Sequence, residues 1–72
     1  MSGKTRVELV MDTIRRRIAG RSLTVGAKLP SIRQLAALLK VSTSTVVEAY
    51  ERLVAEGVIR ARAGSGFYVA GQ

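Results

Sequence analysis

Residues 41–53 form the segment that most constrains the fold of this chain. Its apolar positions recur at the i, i+3, i+4, i+7 spacing of one helical face, and such a face must be buried against other elements. These positions are Val46, Ala49, Tyr50 and Leu53. Ser42 is the predicted N-cap, because its hydroxyl can accept a hydrogen bond from an amide of the first turn. Tyr50 is expected in the core, with its hydroxyl at the rim.

The opposite face of this helix begins with short side chains that carry hydroxyl and methyl groups, namely Thr43, Ser44 and Val47. The first turn holds no acidic residue, and free amides at the start of a helix attract anions. We therefore predict that this helix, over residues 43–56, enters a DNA groove. The alternative is a protein-interaction module without DNA readout. It would need an apolar exposed face, which the hydroxyls and the nearby acids argue against.

Charge is distributed unevenly along the chain. The 12 Lys and Arg residues outnumber the 5 acids, and the net charge is +7. Seven basic residues and no acid lie between Asp12 and Glu48, and Arg60 and Arg62 follow Glu56 without an acid. Positive charge gathered on one surface is typical of nucleic-acid binding, so we expect a surface that faces phosphates.

Composition excludes several classes of protein. The 72 residues suffice for one small domain, and the absence of cysteine and histidine removes disulfides, the common zinc sites and the usual general base. Since the sequence also lacks a glycine-rich phosphate loop, the chain is not predicted to be an enzyme. No apolar run reaches the roughly 18 residues of a membrane span. A cytoplasmic protein without a metal or cofactor in this chain is expected.

Residues 5–19 are predicted to form the first helix. Its apolar stripe comprises Val7, Val10, Met11, Ile14 and Ile18. Gly20 stands where a left-handed residue would end this helix. Arg15, Arg16 and Arg17 fall outside the stripe and are predicted to be a solvated face, with a phosphate contact by one of them as the alternative. A membrane-surface helix is the alternative, but no bulky aromatic residue lines the apolar side.

Residues 32–39 are predicted to form the second helix. Pro30 disfavours helix at Leu29, and Ser31 with Gln34 fits a capping box, in which each side chain bonds the backbone amide of the other residue. Lys40 and Val41 supply a short turn before Ser42, the predicted N-cap of the third helix. Two short helices joined in this way, the second polar at its start, are a helix-turn-helix pattern.

A β-hairpin is predicted after the third helix, which Gly57 ends. Residues 58–62 and 67–70 favour strands, and residues 63–66 have the composition of a turn. A lone hairpin is unstable in water, so its second strand must pack on the helices. The predicted fold is mainly α with a small β-hairpin. It is a winged helix-turn-helix, with three helices plus a two-stranded wing, as one domain over residues 1–72.

Several stretches of the sequence together resemble a known family. They are Leu-Pro-Ser-Ile-Arg-Gln-Leu-Ala at 29–36, Val-Ser at 41–42, Thr-Val at 45–46, Glu-Ala-Tyr-Glu-Arg-Leu at 48–53 and Glu-Gly at 56–57. The chain resembles the DNA-binding domain of GntR-family bacterial transcription regulators. The run at 48–53 and the ending at 62–69 look most like the MocR subfamily, while the HutC and YtrA subfamilies share much of the same wing.

The resemblance implies a protein larger than this chain. MocR members carry a C-terminal domain that resembles fold-type I aminotransferases and binds pyridoxal phosphate, so the chain is expected to be an N-terminal fragment. Full-length members are expected to form homodimers through that domain, and the isolated domain is expected to be mostly monomeric. The implied partner is double-stranded DNA rather than a membrane.

The resemblance also implies roles for individual residues. Ser31 and Arg33 match the start of helix two, where the family contacts the backbone and places an arginine near a guanine. Thr43 and Val47 match base-facing positions, and Gly64 matches the wing tip, within residues 63–66, that approaches the minor groove. The full set of predicted DNA-contacting residues is Ser31, Arg33, Ser42, Thr43, Ser44, Thr45, Val47, Arg60, Arg62 and Gly64.

The hydroxyls of Ser44 and Thr45 match phosphate contacts of the family, and Arg60 and Arg62 are predicted to contact flanking phosphates. Many members have arginine at positions 43 or 47, where this chain has threonine and valine. This difference favours contacts with thymine methyl groups and contacts by hydroxyls over guanine readout by helix three. Lys40 occupies a turn position that is usually glycine, so we expect it in a left-handed conformation.

Overall fold

The structure, a computed structural model, describes residues 5–21 and 23–70 and contains the predicted three helices and hairpin. The elements are α1 (Arg6–Ala19), α2 (Ile32–Leu39), α3 (Thr43–Ala55), β1 (Ile59–Arg62) and β2 (Gly66–Val69). Each predicted helix or strand boundary lies within one residue of the observed one. The predicted fold class is therefore confirmed.

The end of α1 differs from the prediction. Gly20 has φ −83°, so the prediction of a left-handed Gly20 is wrong, and the left-handed residue is Arg21 with φ 64°. The Gly20 amide donates to the Arg16 carbonyl at 2.8 Å, and a Cβ added at Gly20 would lie 3.2 Å from that oxygen. Glycine at position 20 is therefore explained by the close approach of its Cα to the last helical turn. It is not explained by an unusual φ.

The core lies where the three helices and the hairpin meet. Its buried members are Val10, Met11, Ile14, Leu29, Leu35, Ala36, Val46, Ala49, Tyr50, Leu53, Ile59 and Val69. Tyr50 is fully buried, and its ring meets the edge of the Phe67 ring at a centroid distance of 4.8 Å. Its hydroxyl donates to the Pro30 carbonyl at 2.8 Å. The hydroxyl therefore connects α3 to the start of α2 in a part-buried position at the rim of the core, as expected.

The wing has two faces that follow from its register. Ile59 pairs with Val69, and both are buried against the helices. Because side chains alternate along a strand, the next pair, Arg60 with Tyr68, lies on the outer face. By the same alternation, Arg60 and Arg62 share one face of β1.

A segment of the connector before α2 pairs with the free edge of β2, which the sequence did not predict. Gly26 donates to the Val69 carbonyl at 3.0 Å, and the Val69 amide donates to Ala27 at 3.0 Å. Leu29 donates to Phe67 at 2.9 Å, and Lys28 stands opposite Tyr68. β2 is therefore hydrogen-bonded along both of its edges, to β1 and to the connector, and the start of α2 is tied to the wing.

The turn between α2 and α3 is left-handed at Lys40, as predicted, with φ 57° and ψ 45°. The amide of Val41 donates to Ala36 at 3.0 Å, which closes the last turn of α2. Ser42 then caps α3, as predicted, because its hydroxyl accepts from the Thr45 amide at 3.2 Å. The turn sets the direction of α3 relative to α2.

Candidate nucleic-acid interface

Three hydroxyls form a cluster at the start of α3. The Ser42 hydroxyl lies 3.1 Å from that of Ser44 and 2.8 Å from that of Thr45. Two mutual hydrogen bonds consume two of the three O–H donors, so one donor stays available to an outside acceptor. Among the described residues, the amides of Thr43 and Ser44 also have no acceptor. This helix end therefore presents donors that suit a phosphate oxygen.

The predicted base-facing residues follow on the same side of α3. Thr43 is exposed and Val47, one turn later, is half-buried. A partly exposed valine offers methyl surface but no hydrogen bond, which suits contact with a thymine methyl group. Glu48 is held in an ion pair with Arg52 at 2.9 Å. Its carboxylate is thereby partly neutralised beside this face.

The start of α2 carries a completed capping box. The Ser31 hydroxyl accepts from the Gln34 amide, and the Ser31 amide donates to the Gln34 side chain, both at 3.1 Å. The Ser31 hydroxyl keeps its own proton for a further acceptor. Arg33, in the first turn, is exposed and has no carboxylate partner within the described ranges. Its guanidinium is free to bind an outside acceptor.

The wing supplies the remaining predicted contacts. The Arg62 guanidinium lies 5.6 Å from the centre of the Tyr68 ring, a cation–π contact that the sequence did not reveal. Arg60 is exposed beside them. Gly64, with φ 76°, lies at the exposed tip between the paired ends of β1 and β2. A residue without a Cβ suits this conformation, which disfavours other side chains.

Two of the acids are paired where α1 packs against α3. Arg15 on α1 contacts Glu56, which directly follows α3, and also lies 3.7 Å from Asp12, one turn earlier on α1. Arg15 is exposed nevertheless, so the prediction that it belongs to a solvated face is confirmed. Nine basic residues have no carboxylate partner in the part of the chain that the structure describes: Arg6, Arg16, Arg17, Arg21, Lys28, Arg33, Lys40, Arg60 and Arg62. Within the described residues, no helix is long and apolar enough to cross a membrane.

The tie between Tyr50 and Pro30 orients the start of α2 against α3. Burial raises the pKa of Tyr50 from 10.0 to about 12, and the nearby charge of Arg17 opposes part of that rise. The hydroxyl is therefore protonated at neutral pH and can donate to Pro30. Sequence reasoning missed this bond, because the partners are 20 residues apart. The bond holds Ser31 and Arg33 in place relative to α3.

Comparisons with known proteins agree with this geometry. Residues 6–69 match the family described as "Bacterial regulatory proteins, gntR family". The chain is 41% identical over 63 residues to an uncharacterized HTH-type transcriptional regulator, YhdI, of Bacillus subtilis, a match that covers 88% of the chain and 13% of YhdI. It is 39% identical over 59 residues to a probable rhizopine catabolism regulatory protein, MocR, of Rhizobium meliloti, covering 82% of the chain and 12% of that relative.

A solved structure supports the fold. YtrA from Sulfolobus acidocaldarius, a GntR-family transcription factor, superposes with a TM-score of 0.89 at 38% identity. The superposition covers 99% of this chain and 74% of the YtrA chain. The two curated relatives are far longer than the segment they share with this chain, which spans 13% and 12% of their lengths.

Proposed function

The chain belongs to the GntR family of bacterial regulatory proteins. We propose that it binds a duplex operator through α3, the start of α2 and the wing. It is the winged-helix DNA-binding domain of a transcriptional regulator, and the rival interpretation as a protein-interaction module is not favoured. In the proposed complex, α3 enters the major groove and the wing tip, residues 63–66, approaches the minor groove. The finer predictions concern which residues make the contacts.

One observation carries this proposal. The donors at the start of α3 are free of acids, while Glu48 and Glu56 are held in ion pairs with Arg52 and Arg15. The Lys and Arg side chains without a carboxylate partner can therefore bind an external polyanion. Neutralising phosphates releases counterions, which supplies much of the affinity of such domains.

Each group has a part in the proposed complex. Phosphates are bound by the hydroxyl cluster of Ser42, Ser44 and Thr45, and by the wing arginines, while bases are read by other residues. Thr43 and Val47 contact thymine methyl groups, and Arg33 contacts a guanine. An arginine can donate hydrogen bonds to both the O6 and the N7 of a guanine. Arg33 should therefore contribute most to sequence specificity among these residues. Affinity and sequence preference thus come from different side chains.

Several predictions about the whole regulator go beyond this domain. A MocR-like assignment has some support from the relative of that name, and YtrA is an equally similar structure. The pyridoxal-phosphate domain, the homodimer, the monomeric state of the isolated domain and the cytoplasmic location stay predictions.

The test of this proposal is Arg33→Ala, with Arg6→Ala as the control because Arg6 is also exposed and unpaired in the described chain. Both variants are titrated against a duplex selected from a random pool by the wild-type domain, and against its scrambled version. Arg33→Ala should weaken the selected complex by about 1–3 kcal/mol and leave the scrambled one nearly unchanged. Equal losses on both duplexes would make Arg33 a phosphate contact, and no loss on either would remove it from the interface.

A further inference from the structure

An open cleft of about 580 Å³ lies between the C-terminal half of α1 and the segment that leads into α2. Its polar lining comes from Arg17 on α1, from Lys28 in the connector and from the Ser31–Gln34 capping box. Leu29 and Pro30 also line it. Arg17 and Lys28 are outside the set of residues that the sequence predicts to contact DNA.

Two basic residues on separate elements line the cleft, Arg17 on α1 and Lys28 in the connector. Ser31 and Gln34 bond each other, so their polar groups are largely satisfied. Arg17 and Lys28 have no carboxylate partner within residues 5–21 and 23–70. Two unpaired cations that line one open cleft attract a group with negative charge, and no acidic side chain of the described chain lines it.

Lys28 connects the cleft to the wing. It stands opposite Tyr68, and a Cβ added at Gly66 would lie 3.5 Å from the Lys28 Cε. The aliphatic stem of Lys28 therefore passes over the glycine that begins β2, just after the wing tip. The cleft accordingly includes Ser31, a residue of the proposed DNA surface, and the Lys28 side chain extends from the cleft lining toward the tip of the wing.

We infer that Arg17 and Lys28 together bind one phosphate of the DNA backbone. This phosphate lies where the duplex passes from the start of α2 to the groove that the wing enters. The inference rests on the proposed function, because it needs the duplex to run across α2 and the wing. The planar guanidinium of Arg17 matches two phosphate oxygens, and the Lys28 ammonium adds a point charge. A cleft this open admits the phosphate without a change in the backbone.

The test compares the double variant Arg17→Gln/Lys28→Gln with a control of equal charge, Arg6→Gln/Arg16→Gln. Both control residues are exposed, unpaired in the described chain and absent from the cleft. Loss of one phosphate contact should reduce the slope of log K against log salt by about 0.9 more than the control does, or about eightfold in affinity for each decade of salt. The charge-retaining variant Arg17→Lys/Lys28→Arg should keep the wild-type slope.

The outcomes separate this inference from the proposed function. A wild-type domain without salt-dependent binding would overturn both, whereas a steep wild-type slope with equal effects of the two double variants would overturn the inference alone. Thermal melting checks that each variant is folded. A second readout needs no variant: the Arg17 Nε–H resonance of the wild-type domain should shift when duplex is added, and an unchanged resonance would contradict the inference.

Discussion

Replacing Tyr50 by phenylalanine should destabilise the domain through a single hydrogen bond. The ring is fully buried and stacks edge-on against Phe67, so phenylalanine keeps the packing. Only the hydroxyl that donates to Pro30 at 2.8 Å is lost, and the Pro30 carbonyl has no other partner in the described chain. Loss of such a bond costs about 1.5 kcal/mol, taking its net value together with the acceptor left unpaired.

The measurement is thermal unfolding followed by circular dichroism. For a domain of this size, about 1.5 kcal/mol corresponds to a drop in Tm of about 6–12 °C. Tyr68→Phe is the matched control, because the half-buried Tyr68 hydroxyl has no hydrogen-bond partner among the described residues. The control should change the free energy of unfolding by less than about 0.5 kcal/mol. Equal melting of wild type and Tyr50→Phe, or equal losses in both variants, would refute the role assigned to this bond.

Two further predictions follow from the same backbone and side-chain geometry. Because the pKa of Tyr50 is raised from 10.0 to about 12, the unfolded chain loses this proton first as pH rises. The stability advantage of wild type over Tyr50→Phe, about 1.5 kcal/mol, should therefore be complete below pH 10.0 and be lost as the pH rises toward about 12 in urea titrations. A constant difference would contradict this expectation. Lys40→Gly should remove about 1 kcal/mol of backbone strain from the left-handed residue but increase the entropy of the unfolded chain. The Tm should therefore stay level or rise, and a clear fall in Tm would contradict the account.

Local signals made most of the fold predictable. The capping box of Ser31 and Gln34, the N-cap at Ser42 and the left-handed turn at Lys40 depend on residues within a few positions of each other, and all are confirmed. The same local reasoning failed at Gly20, because glycine suits both a positive φ and a close approach. The sequence does not distinguish these two uses.

Local sequence patterns could not predict the long-range contacts of the fold. The pairing of the connector with β2 involves residues about forty positions apart, as in the Leu29–Phe67 bond, and no alternation of side chains marks so short a segment. The contact of Arg15 with Glu56 spans 41 residues. The first contact bears on the candidate site, because it places Lys28 beside the wing.

The most direct test of the central claim is the salt dependence of DNA binding by the wild-type domain, measured by fluorescence anisotropy with a labelled duplex. If the unpaired cations neutralise about four phosphates, log K should fall with log salt at a slope of about −3.6. Affinity should then drop roughly a hundredfold between about 50 mM and 200 mM salt. A slope near zero, or no binding at the lower salt concentration, would contradict the assignment of this surface to DNA.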